Sequence, residues 1–485
     1  MPPACISPSL RNSRVPGMAV LLVATAVAVF SARPYAGSWN DGSRLAAVEA
    51  LVDQHTLAID QSIFVAPPRP FDPHAPTPYP RDEPLLDNGT CDKLFIDGHY
   101  YSDKPAVISL LMAGVYQIWQ WCGGAPARDR PDLFCLLMTL VTSGLAYVVA
   151  VFCTYRLGRI AGLSLSWCLL LAASLGLATI ALPYARHVNN HIMLLGVAAA
   201  LFLGIQRVAE ALRSGPAPWP LLAWLGTLAG LAYNLDLGTG PILLLCLTAL
   251  LAYRCRRLIP LAVFGLATLP WLATHHVINY AIGGTFTPMN AVAAYSLWPG
   301  CPFTAQNLTG GWNHTPGHFV VYLASLLVGR RGFITHCLPL FVPVPAFVAL
   351  LRRRPAELAE LVFASCWAGG TWLLYGALSN NSSGACCSIR WFVPLLAPGY
   401  FTLAVFMREY PAWRQDFFFL SGWGAVLGGL MWWQGPWMQH MVPWFWPIQA
   451  ATLVTWYIMI QSRRHGKTAP PMQNALAPEL PAQAA

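Results

Sequence analysis

The first polar stretch of the chain carries acidic and basic residues at both of its ends. It opens with the motif NDGSR at residues 40–44 and closes with YYSDKP at residues 100–105. A carboxylate can take a proton from an attacking hydroxyl group, and Arg or Lys can bind a phosphate and stabilise developing negative charge. Because apolar segments flank the stretch on both sides, the pattern indicates catalysis on a membrane-bound anionic substrate.

The composition indicates an integral membrane protein. The chain has 485 residues, of which 56% are apolar and 10% are charged, whereas soluble domains carry about 25% charged residues. The net charge of +9 comes largely from arginines in short loops between apolar segments, as the positive-inside bias produces. No soluble basic domain remains, so we expect no nucleic-acid partner.

The apolar segments predict an all-α, polytopic helix bundle. After a first segment at 18–32, they run 133–155, 160–182, 189–206, 219–236, 238–252, 258–275, 333–351, 359–378, 391–407, 416–433 and 444–461. With the arginine-rich connections in the cytoplasm, the chain makes about twelve spans. Residues 1–465 form the transmembrane domain, 33–104 its large first outer loop, and 466–485 a disordered cytoplasmic tail.

Two apolar segments leave the topology open. Residues 18–32 are short for a span and equally fit a signal peptide; both interpretations place residue 33 outside. If residues 105–122 spanned, every later loop would invert. We therefore predict that they lie on the outer surface or re-enter the membrane, with Trp119 and Trp121 in the interface.

A helix is predicted at the start of the first outer loop. Apolar residues from Leu45 to Ile59 recur at helical spacing, and Asp41 and Ser43 sit where capping residues belong. This pattern predicts an amphipathic helix on the outer membrane surface with Asp41 at its amino end. Asp41 is then either an ordinary N-cap or a functional carboxylate, with Arg44 one turn further on.

The order of these elements resembles the GT-C superfamily of membrane glycosyltransferases. Asp-Gly-Ser-Arg, an amphipathic helix and Tyr-Ser-Asp-Lys-Pro follow one another as in protein mannosyltransferases and lipid A aminoarabinose transferases, and residues 179–187 and 384–394 also resemble members. These families carry a catalytic aspartate in the first outer loop and an acidic-Lys-Pro-Pro element. They take sugars from polyprenyl-monophosphate donors on the outer membrane face.

The resemblance implies roles for five residues. Asp41 would be the catalytic base, and Asp103 matches the acidic residue that precedes the lysine. Arg44, Lys104 and Arg390 would contact the donor phosphate. The enzyme would be an inverting hexosyl or pentosyl transferase, facing outward from the bacterial inner membrane, with a lipid, polysaccharide or protein as acceptor.

Tyr101 and His187 complete the predicted substrate-binding set. The chain departs from the family pattern in two places. Ala106 replaces the second proline, and the loop at 186–191 lacks the acidic pair that some relatives use with a metal. We therefore expect no cofactor, and the sequence leaves dependence on a divalent metal open.

Other functions and sites remain open on the sequence alone. A transporter or lipid-linked-sugar flippase also has many spans, but its ionisable groups usually lie near the bilayer midplane, and here they collect in loops on one face. A non-catalytic scaffold of the same fold is a third possibility. Five cysteines fall on the outer side, where disulfides form, without an assigned pairing: Cys91, Cys122, Cys301, Cys386 and Cys387.

Overall fold

The computed structural model describes residues 14–466 except 69–71, 73, 82, 305–307 and 313. The predicted cytoplasmic tail therefore lies outside the described residues, apart from its first residue. The chain divides into one compact unit that ends at Pro443 and a second that begins at Trp444. The site described below belongs entirely to the first unit.

Helices account for nearly all regular structure in the described ranges. They are α1 Arg14–Ser31, α2 Trp39–Asp53, α3 Leu85–Asn88, α4 Ala106–Trp121, α5 Pro131–Thr139, α6 Leu145–Ile160, α7 Leu165–Leu177, α8 Ala181–Tyr184, α9 Asn190–Ser214, α10 Trp219–Leu235, α11 Thr239–Cys255, α12 Leu258–Gly283, α13 Ala293–Ser296, α14 Pro316–Ser325, α15 Phe333–His336, α16 Pro343–Arg353, α17 Leu358–Leu378, α18 Leu396–Glu409, α19 Arg414–Gln434 and α20 Phe445–Gly466. Helix α6 packs against α1, α7 and α9, and α10 packs against α9, α11 and α12.

Five helices in the described part of the chain are long and apolar enough to cross a membrane. They are Pro131–Ile160, Asn190–Ser214, Leu258–Gly283, Leu358–Leu378 and Arg390–Glu409. The first joins α5 and α6 through a π-helical turn, and the last joins a 3₁₀ helix, Arg390–Leu395, to α18. The prediction of a helical integral membrane protein is confirmed, and the number of twelve spans stays a prediction.

The apolar segment predicted at 333–351 is not one helix. It divides into α15, a 3₁₀ helix at Leu338–Phe341, and α16. Prolines at 339 and 343 explain the breaks, because proline has no N–H to donate to the helix.

Helix α2 is buried rather than amphipathic, so the prediction of a surface helix is wrong for this element. Twelve of its 15 residues are buried, and it packs against α4 and the following hairpin. Gly42 leaves room for a further neighbour, Tyr79, because a Cβ at Gly42 would lie 2.2 Å from the Tyr79 hydroxyl oxygen. The helix also ends at Asp53, before the apolar residues at 57 and 59.

A two-stranded antiparallel sheet precedes α4 and qualifies the all-α prediction. Strand β1 is Lys93–Ile96 and strand β2 is His99–Ser102. Asp97 and Gly98 turn the chain with φ of 49° and 89°, as the tight turns of such hairpins require. The hairpin matters to the site because it brings the residue before β1, Asp92, next to the residues that follow β2.

Candidate active site

Lys104 is held between two carboxylates at the base of the hairpin. Its Nζ lies 2.8 Å from Asp92 Oδ2 and 2.6 Å from Asp103 Oδ2. Burial raises the pKa of a carboxyl group, and both carboxyls are largely buried. For Asp92 the Lys104 charge, together with the nearby arginines, outweighs burial, so the pKa is lowered. For Asp103 burial outweighs the Lys104 charge, so the pKa is raised. Asp103 is therefore the carboxylate of this pair that protonates more readily.

Helix α2 is fastened to this ion cluster through Ser43. The Ser43 hydroxyl lies 2.7 Å from the Ser102 hydroxyl and donates to Asp103 Oδ1 at 3.1 Å. Because Ser43 sits between Asp41 and Arg44 in α2, this contact places the two ends of the outer loop side by side. The structure therefore brings the charged motifs at the two ends of the loop together.

Arg44 interacts electrostatically with other charged residues of the site. Its Nη1 donates to the Asn40 carbonyl at 2.9 Å and to Asn40 Oδ1 at 2.6 Å. Burial lowers the pKa of Arg44 to about 10, an effect that Asp103 opposes and Arg390 reinforces. Arg44 and Arg390 therefore lie within electrostatic reach of each other although 345 positions separate them in the sequence.

Asp41 is the third residue of α2 and is fully buried. Its Oδ2 accepts a hydrogen bond from the Gly37 N–H at 2.7 Å, and its Oδ1 accepts one from the Ser38 hydroxyl. The N-cap is Ser38 and not Asp41, so the predicted position of the helix start is corrected by three residues. Burial raises the pKa of Asp41 to about 6, which suits a base that works near neutral pH.

His187 lies beside Asp41. Its Nδ1 is 3.6 Å from Asp41 Oδ2 and 3.2 Å from the Tyr35 carbonyl oxygen. Burial, and then the Arg186 charge, lower the pKa of His187 to about 3. The ring is therefore neutral at physiological pH, donates from Nδ1 to Tyr35, and leaves the charge of Asp41 unneutralised.

Arg390, like Arg44, forms no ion pair with a carboxylate among the described residues, whereas Lys104 binds two. Its guanidinium stacks on the Trp437 ring at 5.6 Å, and Trp437 meets Tyr184 edge-on at 5.9 Å. In the described part of the chain, Arg390 Nε, Trp437 Nε1 and the Tyr184 hydroxyl are all buried without a hydrogen-bond partner. Buried donors normally have partners, so these three donors are available to a ligand that is rich in hydrogen-bond acceptors.

Gly37 joins the Arg390 side of the site to the Asp41 side. A Cβ at this position would lie 2.7 Å from Trp437 Cδ1 and 2.8 Å from His187 Cε1. The missing side chain thus lets the Trp437 and His187 rings approach the backbone whose N–H binds Asp41. Nothing in the local sequence identifies this glycine, because the crowding comes from segments that are distant in the chain.

We expect Gly37→Ala to lower both thermal stability and activity, because its Cβ would displace Trp437 and His187. A melting temperature several degrees lower is expected from a clash of this size. Gly114→Ala in α4 is the matched control, since nothing lies within 4 Å of the added Cβ. Equal melting curves for the two variants would contradict the close approach at Gly37.

Lys104→Ala is expected to destabilise the outer loop, because it leaves Asp92 and Asp103 facing each other without a cation. Breaking such a pair costs roughly 3 kcal/mol. Adding Asp103→Asn removes one of the two charges and should recover part of that loss, measured by melting in detergent. If the double variant melts below the single one, the two carboxylates do not compete for Lys104.

In the described part of the chain, the residues described next form no hydrogen bond or ion pair with the three cations or with Asp41. Tyr101 packs with a small apolar cluster that includes Leu94 and Met289, and its recorded contacts do not join it to the cations. His191 Nδ1 lies 3.0 Å from Asp236 Oδ2. Within the described residues, no group of three or more His, Cys, Asp or Glu side chains is placed to hold a metal ion.

No family model matches this sequence, and no curated protein matches it. Among solved structures, ArnT from Cupriavidus metallidurans bound to undecaprenyl phosphate is similar over 86% of this chain and 70% of its own, with 13% identity and a TM-score of 0.48. Its apo state gives 13% identity over 86% of this chain and 63% of its own, with a TM-score of 0.49.

The apo oligosaccharyltransferase of Archaeoglobus fulgidus is similar over 89% of this chain and 57% of its own, with 12% identity and a TM-score of 0.45. The chain thus spans 57% to 70% of the length of these structures. ArnT is an aminoarabinose transferase, and both proteins are GT-C members, the superfamily that the sequence motifs resemble. At TM-scores below 0.5 this likeness does not assign a donor, an acceptor or the role of any residue.

Proposed function

We propose that this protein is a membrane glycosyltransferase that moves a sugar from a polyprenyl-monophosphate donor to an acceptor hydroxyl on the outer membrane face. The observation that carries the proposal is Arg390. It is a cation without a carboxylate partner among the described residues, beside two further buried donors that lack acceptors. A phosphate has the charge and the acceptor oxygens to fill this place.

An apolar cavity at the far end of the 3₁₀ helix that begins at Arg390 favours a lipid-linked phosphate over a soluble one. The 3₁₀ helix that begins at Arg390 ends at Leu395, which lines a cavity of about 240 Å³. The other walls are mostly apolar side chains of α15 to α18, among them Phe347 and Pro398. A lipid phosphate bound here would place its charged group at Arg390, where the 3₁₀ helix begins. Its hydrocarbon chain would then lie in the apolar cavity, where the helix ends.

The proposed reaction is a single displacement at the anomeric carbon. The acceptor oxygen forms a bond to that carbon while the bond to the phosphate oxygen breaks, and the polyprenyl phosphate leaves with the electron pair. Asp41 takes the acceptor proton, and the cations Arg44 and Arg390 stabilise the charge of the leaving phosphate. Inversion at the sugar follows from the single displacement.

Lys104 has a different part in this scheme from the one implied by the motifs. Its ammonium already binds Asp92 and Asp103, so its positive charge is largely offset within the cluster. We propose that it positions the hairpin and the carboxylates, while Arg390 makes the principal contact with phosphate. Asp103, anchored by Ser43, holds α2 against this cluster.

Binding of the donor class can be tested without knowing the sugar or the acceptor. A ligand that binds only the folded protein raises its melting temperature. We expect polyprenyl monophosphate to raise the melting temperature of the purified protein in detergent, and the polyprenyl alcohol of equal length to have little effect. Equal shifts with the two lipids would show that no phosphate site exists.

A further inference from the structure

Two cysteines from distant segments of the chain lie in neighbouring parts of the structure. Cys91 lies just before strand β1, and Cys301 lies in the segment that follows α13. Both thiols are partly exposed and free in the structure. The contacts of their chain neighbours show how the two segments are held together.

On the carboxyl-terminal side of Cys91, Lys93 is held by Trp298. The indole Nε1 of Trp298 donates to the Lys93 carbonyl at 3.2 Å. The Lys93 ammonium also lies 4.8 Å from the centre of that ring. The residue two positions after Cys91 is thus fixed to the residue three positions before Cys301.

On the amino-terminal side of Cys91, the link runs through Trp39. The Thr90 hydroxyl donates to the Trp39 carbonyl at 2.8 Å. The Trp39 ring in turn meets Phe303 edge-on with 5.8 Å between centroids. Residues on both sides of Cys91 are therefore tied to residues on both sides of Cys301.

Cys301 also lies within electrostatic reach of the Cys91 thiol. Burial raises the pKa of the Cys91 thiol, and the nearby Cys301 adds to the rise. The Cys301 thiol accepts from the Phe303 N–H at 3.2 Å and donates to the Ser296 carbonyl at 3.1 Å. A disulfide would give up only the second of these bonds, because a bonded sulfur can still accept.

We propose that Cys91 and Cys301 form a disulfide that ties the first outer loop to the segment after α13. Each thiol loses a proton, and together they lose two electrons to the disulfide of a thiol-oxidising protein, which becomes a dithiol. The proposal rests on the outward orientation given under the proposed function and not on the transfer reaction. The bond would fix Asp92, the residue after Cys91, beside Lys104.

The chain offers a matched internal control. Cys246 and Cys366 line one cleft between α11 and α17. Both lie within apolar helices and away from the outer loops, so secreted thiol oxidases do not reach them. We expect this pair to remain as thiols in the same sample.

Peptide mapping tests the disulfide directly. Cells expressing the full chain are lysed in an alkylating agent without reductant, and the purified protein is digested with chymotrypsin and analysed by mass spectrometry. We expect a linked peptide pair containing Cys91 and Cys301, which separates on reduction, together with alkylated Cys246 and Cys366. In Cys301→Ser, Cys91 should become alkylated.

Two results would overturn the proposal. One is full alkylation of Cys91 and Cys301 in the unreduced wild-type protein. The other is a Cys91 that stays protected from alkylation in Cys301→Ser, which would show a different partner. Neither result depends on glycosyl transfer, so failure of the disulfide is distinguishable from failure of the proposed function.

Discussion

Replacing Asp41 with asparagine is expected to abolish sugar transfer while the protein stays folded. Loss of a general base lowers the rate by about 10²–10⁴-fold. Asparagine can keep the local geometry, because its carbonyl can accept from the Gly37 N–H and its amide can donate to Ser38, the two groups that now bind Asp41. The measurement is the initial rate of transfer at saturating donor in purified, correctly folded variants.

The pH dependence gives Asp41 a second readout. Its pKa is raised by burial to about 6, and a base must be unprotonated, so activity should rise through pH 6 and level off above it. A raised carboxyl pKa also means that the folded state disfavours the charge, so its contribution to stability is lost as pH rises from about 4 to 6. Asp41→Asn should therefore melt no lower than wild type at neutral pH.

Asp97→Asn is the matched control for Asp41→Asn. Asp97 lies in the hairpin turn with φ of 49°, a conformation that asparagine accepts readily. This variant removes the same charge from the same loop and should keep near wild-type activity. A folded Asp41→Asn enzyme with activity close to that of Asp97→Asn would rule out Asp41 as the base.

Arg390→Ala should weaken binding of the polyprenyl phosphate by about 10- to 100-fold, since a hydrogen bond to a charged group is worth about 1.5–3 kcal/mol. Its guanidinium forms no ion pair with a carboxylate in the described part of the chain, so its positive charge is available to bind a phosphate. Arg390→Lys keeps the charge without the planar group that stacks on Trp437, and should recover only part of the affinity. The measurement is a titration of melting temperature with polyprenyl monophosphate.

Arg331→Ala is the control for the arginine variants. Arg331 Nη1 donates to the Gly384 carbonyl at 3.1 Å, so it holds the same loop without a recorded contact to the cation cluster. We expect its affinity for polyprenyl phosphate to stay within a few-fold of wild type. Equal losses in the two alanine variants would show that Arg390 acts by holding the loop and not by binding phosphate.

The charged residues predicted for the site lie near one another in the structure, whereas the elements that carry them were predicted less well. The loop motifs and the family resemblance pointed to Arg44, Lys104 and Arg390, and the roles of these residues stay predictions. The motifs did not show that Lys104 is shared by two carboxylates, since Asp92 reaches it only through the hairpin. The Asp97-Gly98 pair was the local signal for that hairpin.

Tertiary packing explains what sequence patterns missed. Apolar spacing in α2 predicted a surface helix. In the structure α4 and the hairpin cover this helix, and Gly42 is a small residue that allows a close contact on it. In the sequence, Tyr184 and Trp437 are indistinguishable from the ordinary aromatic residues of a membrane protein. Only the folded chain places their unpartnered donors beside Arg390.

The most direct test of the central claim is mass spectrometry of polyprenyl-monophosphate sugars from cells that express wild type, Asp41→Asn or no protein. We expect one glycolipid to accumulate in the cells with Asp41→Asn and in those without the protein, and to be consumed in wild-type cells. Its mass would then identify the donor sugar. The same glycolipid pool in all three cell lines would contradict a transferase that uses a polyprenyl-monophosphate sugar.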